Sequence, residues 1–272
     1  MNSIGTVGFF IQNISYTVTV PLYLFLHLLT SPTAKLSKNN SNVLLIPGLD
    51  LAIVPISLFL GYIIPSILMC LPVSMAAHQQ FIAFWQLFPI WTVIIHSGLR
   101  FFASRLFKRE TSAPTKSLEE SYLDSAAPIY RFVFALCMIT HIPVIAIIFL
   151  SPTTLRGFSP TLTRLLQSSF SDVFIPYGLD GNHKVSGLAA GALTFLQWDI
   201  YVGSIAFLIW MSALYREAAK QSTIGGSGNR IIWWKLAWKI PAYMLISGPV
   251  GANAVLLWER DAILRQKVKK DA

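Results

Sequence analysis

Residues 188–210 read LAAGALTFLQWDIYVGSIAFLIW. One Asp stands at the centre of the stretch, with eleven residues on either side and no Lys or Arg among them. A helix needs about 20 apolar residues to cross a bilayer core. Backbone polar groups cannot go unpaired in lipid, so a run of this length reads as a membrane helix. Five more runs meet the same test: residues 4–29, 51–73, 81–99, 129–150 and 234–258. Prolines at 21, 55, 65, 89, 143, 241 and 249 lie in or near them and are expected to kink their helices. The N-terminal run lacks a basic segment before it and is too long for the apolar core of a cleaved signal peptide, so it reads as a span.

Composition agrees. Of 272 residues, 54% are hydrophobic and 12% charged, about half the charged share of a soluble domain. Mean hydropathy is +0.58. An ordinary soluble enzyme, a disordered chain and a coiled coil are disfavoured. Lys and Arg number 21 against 12 acidic residues, a net charge of +9. These cations lie mostly in gaps between apolar runs, where they meet lipid headgroups, so no nucleic-acid partner is expected. The fold expected is all-α: one polytopic transmembrane helix bundle over residues 1–272, with six to seven spanning helices. The seventh would come from residues 152–186, a mixed stretch that also suits an interfacial or re-entrant helix. No internal repeat or linker divides the chain.

Orientation reads two ways. With six spans, Lys and Arg are more numerous on the side of the first, third and fifth gaps, which turns both termini away from the cytosol. Yet Lys269-Lys270-Asp271-Ala272 resembles a dilysine retrieval signal, which works from the cytosol and points to the endoplasmic reticulum. A seventh crossing would remove the conflict. A plain basic tail binding anionic lipid is the other reading of these lysines.

Charge inside a span is costly, so Asp199 is the first functional candidate. At 100° per residue, Ala192, Gly203, Ala206 and Trp210 share its side of the helix, while Leu193, Ile205 and Leu208 lie opposite. Small residues mark close helix contact, so Asp199 is expected to face the bundle interior or a cavity. Gln197 and Tyr201 flank it on other faces. Burial disfavours a carboxylate, so a carboxyl group here can stay protonated and act as a proton donor. The bland alternative is a residue that pairs with a neighbouring helix to hold the bundle. His141, inside the fourth span, is a second candidate; His27 and His96 are weaker ones. Glu259 and Asp50, at span ends, divide evenly between a site role and anchoring. Arg260 and Asp261 read as interfacial anchors.

Certain chemistries lack their residues. There is no D-D-x-x-D or N-D-x-x-D to hold Mg²⁺ against a diphosphate. There are no histidine boxes, Walker motif or Rossmann glycines, and Cys70 and Cys137 alone make no zinc site. No metal and no cofactor is expected. Chemistry driven by a proton donor in an apolar cavity remains.

The stretch Phe195-Leu196-Gln197-Trp198-Asp199-Ile200-Tyr201-Val202-Gly203, ending in Ile209-Trp210, resembles the small membrane-bound terpene cyclases of fungal meroterpenoid pathways, the ascI-type group. Phe84-Trp85-Gln86 with Pro89, and Trp258-Glu259-Arg260-Asp261, fit the same pattern. The resemblance implies metal-independent cyclisation of an (epoxy)farnesyl-type chain on a prenylated aromatic or polyketide head, started by protonating an epoxide or a terminal alkene. It implies upstream pathway enzymes such as an epoxidase, and two acidic residues on separate helices: Asp199 as principal acid, with Glu259 or Asp50 as the second. The competing functional class is a membrane transporter or channel in which Asp199 relays protons or substrate. A non-catalytic scaffold is the third.

Overall fold

The computed structural model describes residues 2–31, 33–34, 46–106, 118–149, 169–178, 186–222 and 228–271; among these, all regular structure is helical. Nine helical elements follow in chain order. They are α1 (Asn2–Asn13), α2 (Tyr16–Thr30), α3 (Gly48–Met69), α4 (Met75–Gln86), α5 (Phe88–Leu106), α6 (Leu118–Phe149), α7 (Phe170–Phe174), α8 (Leu188–Ser222) and α9 (Gly228–Asp271). Four stretches are long and apolar enough to cross a membrane: Gly48–Met69, Asp124–Phe149, Leu188–Lys220 and Trp233–Leu264. The α4–α5 pair, bent by 61°, brings the number to five if it counts as one span.

Among the described residues these four or five candidates fall short of the six to seven expected, and the reason lies in where helices break. The run 4–29 stops at Ile14 and restarts after Ser15, whose extended backbone and side chain cap α2 at the Val18 N–H. At 15 residues, α2 rises only about 22 Å, short of the roughly 30 Å core. The run 81–99 breaks at Leu87, just before Pro89. Within α3, a π-helical turn at Phe59–Ile63 precedes Pro65. A Cβ at Gly61 in that turn would lie 2.8 Å from the Thr92 Cα, so the glycine admits the backbone of α5.

The largest departure is in α9. Gly248 has φ 67° and ψ −179°, a conformation open to glycine, and Pro249 follows it. Lys239 Nζ lies 2.6 Å from both carboxylate oxygens of Glu259. In a straight helix, two residues this far apart in sequence are separated by about 30 Å. The helix therefore folds back at Gly248, and its two arms, 228–247 and 249–271, run side by side. Leu236 from one arm and Leu256 from the other bury against Met211, Leu214, Tyr215 and Ala219 of α8, which is the main apolar core. Around it the packing order closes into a ring: α1 on α5, α5 on α3, α3 on α6, α6 on α9, α9 on α8, α8 on α2, and α2 back to α1.

Candidate functional site

The break before α2 aims a helix start at the middle of α8. The first N–H groups of a helix have no partner within it. Ser15 takes the Val18 N–H at 3.2 Å. The Thr17 N–H goes to Asp199 Oδ1 at 2.8 Å, and the Thr17 hydroxyl donates to the same oxygen. The partial positive charge at a helix N-terminus adds to the attraction. One turn along α8, the Tyr16 ring lies where a Cβ on Gly203 would stand, so only glycine allows this approach. Tyr16 also stacks on Phe207, with ring centroids 6.4 Å apart, and Trp210 Nε1 donates to His27 Nδ1 at 3.1 Å. The face of α8 bearing Asp199, Gly203 and Trp210 is thus its α2 face. Among the described residues no cation lies within ion-pair distance of Asp199.

The residues beside Asp199 point elsewhere and hold a different segment. Gln197 Nε2 donates to the carbonyls of Asp172 at 3.0 Å and Val173 at 2.9 Å, and the Tyr201 hydroxyl donates to that of Phe174. Trp198 Nε1 donates to the Tyr177 carbonyl at 2.9 Å. The carbonyls of Asp172, Val173 and Phe174 end the short helix α7, where no further turn can satisfy them, and that of Tyr177 lies just beyond it. The side chains of α8 complete them, and Ser169 with Asp172 forms a capping box at the other end. Non-helical backbone packed against a membrane helix is tolerated when protein groups satisfy it in this way. Residues 169–178 thus form a short element docked on α8. The rest of the stretch through 185 lies outside the described residues, and with it the seventh crossing.

His141 of α6 meets this segment from the other side. Its ring lies 6.5 Å from that of Phe174, edge on, and its Nδ1 would be 3.3 Å from a Cβ on Gly248. Phe174 therefore connects Tyr201 of α8 to His141 of α6 beside the fold-back of α9. Glu259 is held by Lys239. Asp50 opens α3, is 4% exposed, and lies 3.2 Å from Arg100 Nε and 3.7 Å from His96 Nε2. Behind it His96 Nδ1 stands 3.4 Å from Ser57 Oγ. Among the described residues no hydrogen bond or ion pair joins any two of Asp199, Glu259, Asp50 and His141. Nor do three His, Cys, Asp or Glu side chains there gather as a metal-binding group.

One network has no counterpart in the sequence reading. Arg260 and Asp261, expected at the interface, are 5% and 4% exposed. Tyr130 donates to Asp261 Oδ2 at 2.7 Å, Arg260 NH1 lies 3.6 Å from Asp261 Oδ1, and Arg260 NH2 reaches the Thr33 carbonyl at 3.3 Å. Thr33 Oγ1 in turn lies 3.1 Å from His27 Nε2. At the edge of this cluster, burial and then the Asp261 charge push the Tyr122 hydroxyl up to about 12, so it stays neutral. The signal available in the sequence was Arg-Asp beside Trp258-Glu259. The partners of that pair, Tyr130 and Thr33, come from far along the chain, which the sequence does not display.

The profile of the CtvD domain family matches residues 2–265. The terpene cyclase ascI of Acremonium egyptiacum is 29% identical over 269 residues, covering 95% of this chain and 62% of that protein. The terpene cyclase ctvD of Aspergillus terreus is 32% identical over 217 residues, covering 77% of this chain and 54% of that protein. The terpene cyclase atmA of Aspergillus flavus is 28% identical over 216 residues, covering 76% and 53%. The chain thus spans between about half and three-fifths of the length of these relatives. No solved structure matches it.

Proposed function

The chain belongs to the CtvD domain family, and from that premise we propose that it is a multi-pass membrane terpene cyclase of a meroterpenoid pathway, with Asp199 as the proton donor. Its substrate is the (epoxy)farnesyl-type chain of a prenylated aromatic or polyketide, supplied by upstream enzymes such as an epoxidase. The names of the relatives support the reaction class. One observation supports the acid. Asp50 sits against Arg100, Glu259 against Lys239 and Asp261 against Arg260, whereas Asp199 meets neutral donors alone among the described residues. A carboxyl group with no cation beside it can hand a proton to a guest.

The chemistry follows from that proton. It passes to the epoxide oxygen, the strained C–O bond breaks toward the more substituted carbon, and the double bonds of the chain close in turn onto the cation. The last cation loses a proton, so the overall reaction is an isomerisation. No diphosphate leaves. General acid help of this kind contributes about 10²- to 10⁴-fold. Surrounding apolar side chains preorganise the chain and exclude the water that would quench the cation.

The test is Asp199→Asn in the full chain, assayed in membranes with a phenol bearing a farnesyl chain and a terminal epoxide. Turnover is expected to vanish while membrane insertion and thermal stability stay close to those of the parent. Undiminished product from this variant removes Asp199 as the acid.

A further inference from the structure

The reading of Asp199 as the acid, on which this inference rests, leaves open what directs its proton. Both Thr17 donors reach the same oxygen, Oδ1: the backbone N–H at 2.8 Å, and the hydroxyl. Oδ2 accepts no hydrogen bond among the described residues. A protonated carboxyl group has one carbonyl oxygen and one hydroxyl. Two donors at Oδ1 fix it as the carbonyl and leave the proton on Oδ2, free of competing acceptors.

The same two donors act after the proton leaves. Charge then develops over the carboxylate, and hydrogen bonds to an ionised acceptor are shorter and about twice as strong as neutral ones. They are already in place, so nothing has to reorganise as the charge appears. We infer that Thr17 is a positioning residue that sets the direction of the Asp199 proton and stabilises the carboxylate left behind, in the manner of an oxyanion hole turned toward the enzyme's own acid.

The helix break belongs to this arrangement. In an unbroken helix the Thr17 N–H would bond to the carbonyl of Asn13, four residues earlier. Because α1 ends at Asn13 and α2 begins at Tyr16, that N–H is released and points at α8. Tyr16 seated over Gly203 and Trp210 bonded to His27 hold α2 in register on either side. A mere brace between α2 and α8 would account for the contact. It would not require both donors on one oxygen, or one oxygen left open.

Thr17→Val removes the hydroxyl while keeping the branched shape and the backbone N–H; Thr17→Ser restores the hydroxyl. With the epoxyfarnesyl phenol as probe, Thr17→Val is expected to lower kcat by about 10- to 100-fold with KM little changed, less than the loss of a whole oxyanion donor in other enzymes because the N–H remains. Thr17→Ser is expected to recover most of it. Infrared difference spectra against Asp199→Asn supply a readout independent of turnover. The protonated Asp199 carbonyl band is expected to move to higher wavenumber in Thr17→Val and to return in Thr17→Ser. An unmoved band, or a loss confined to KM, overturns the inference. If Thr17→Val does not accumulate, Thr17→Ser against Thr17→Ala makes the same comparison. The two readings fail separately: an active Asp199→Asn variant sinks the acid, whereas an inert Asp199→Asn with a fully active Thr17→Val sinks only the role of Thr17.

Discussion

Two carboxylates of this protein, Asp199 on α8 and Glu259 on the second arm of α9, stand on long helices and have opposite surroundings. Lys239 grips Glu259 at 2.6 Å through both oxygens. Asp199 receives two neutral donors on one oxygen. The first arrangement is an ion pair, and the second holds a carboxyl group by neutral donors alone. Residue type says little here, since both are carboxylic acids in apolar surroundings. On the proposed reading, the sign of the neighbour separates a brace from an acid.

Experiments that equalise the two regions test the contrast. The largest expected effect is Asp199→Asn, at least about 10³-fold in turnover, within the range of a general acid; the same change in Glu259 is expected to leave turnover within a few-fold. Equal losses at both sites would erase the distinction. Next comes Gly203→Ala, whose Cβ would overlap the Tyr16 ring. Overpacking of this kind costs about 1–3 kcal/mol. Thermal melting in detergent should fall and turnover with it, because α2 must withdraw from Asp199. Glu259→Gln is expected to lower stability by about 1–2 kcal/mol by weakening hydrogen bonds to a charged group, and Lys239→Met added to it should recover part of the loss. A cycle with no coupling would show that the pair holds nothing. The smallest effect belongs to Tyr130→Phe, which removes one donor from Asp261. A loss near 1 kcal/mol with full turnover is expected, read by melting and product yield together.

The sequence displays the rods better than their ends. Residues 188–210 declare a helix because nothing charged but Asp199 interrupts them, and the face shared by Asp199, Gly203 and Trp210 follows from helical geometry. That this face meets α2 does not follow. Thr17 is 182 residues away, and its N–H is available only because the chain breaks at Ser15, a modest capping residue inside an otherwise apolar run. The prolines mark where a helix can bend without giving the size of the bend. Pro143 lies within the helical α6, whereas Gly248-Pro249 turns α9 back on itself. Arg260 and Asp261 meet Thr33 and Tyr130, partners more than a hundred residues away, which is why a local reading places them at the surface.

The reversal at Gly248 also bears on which way the protein sits in its membrane. A straight α9 would send its two ends to opposite leaflets. Folded, it brings its second arm, whose sequence ends in Arg265, Lys267, Lys269 and Lys270, back beside the first, which follows Arg216 and Lys220 of α8. Segments rich in Lys and Arg favour the cytosolic side. A single glycine thereby sends the last helix out and back, and a label placed at Trp233 should report the same face of the membrane as one placed at Leu264.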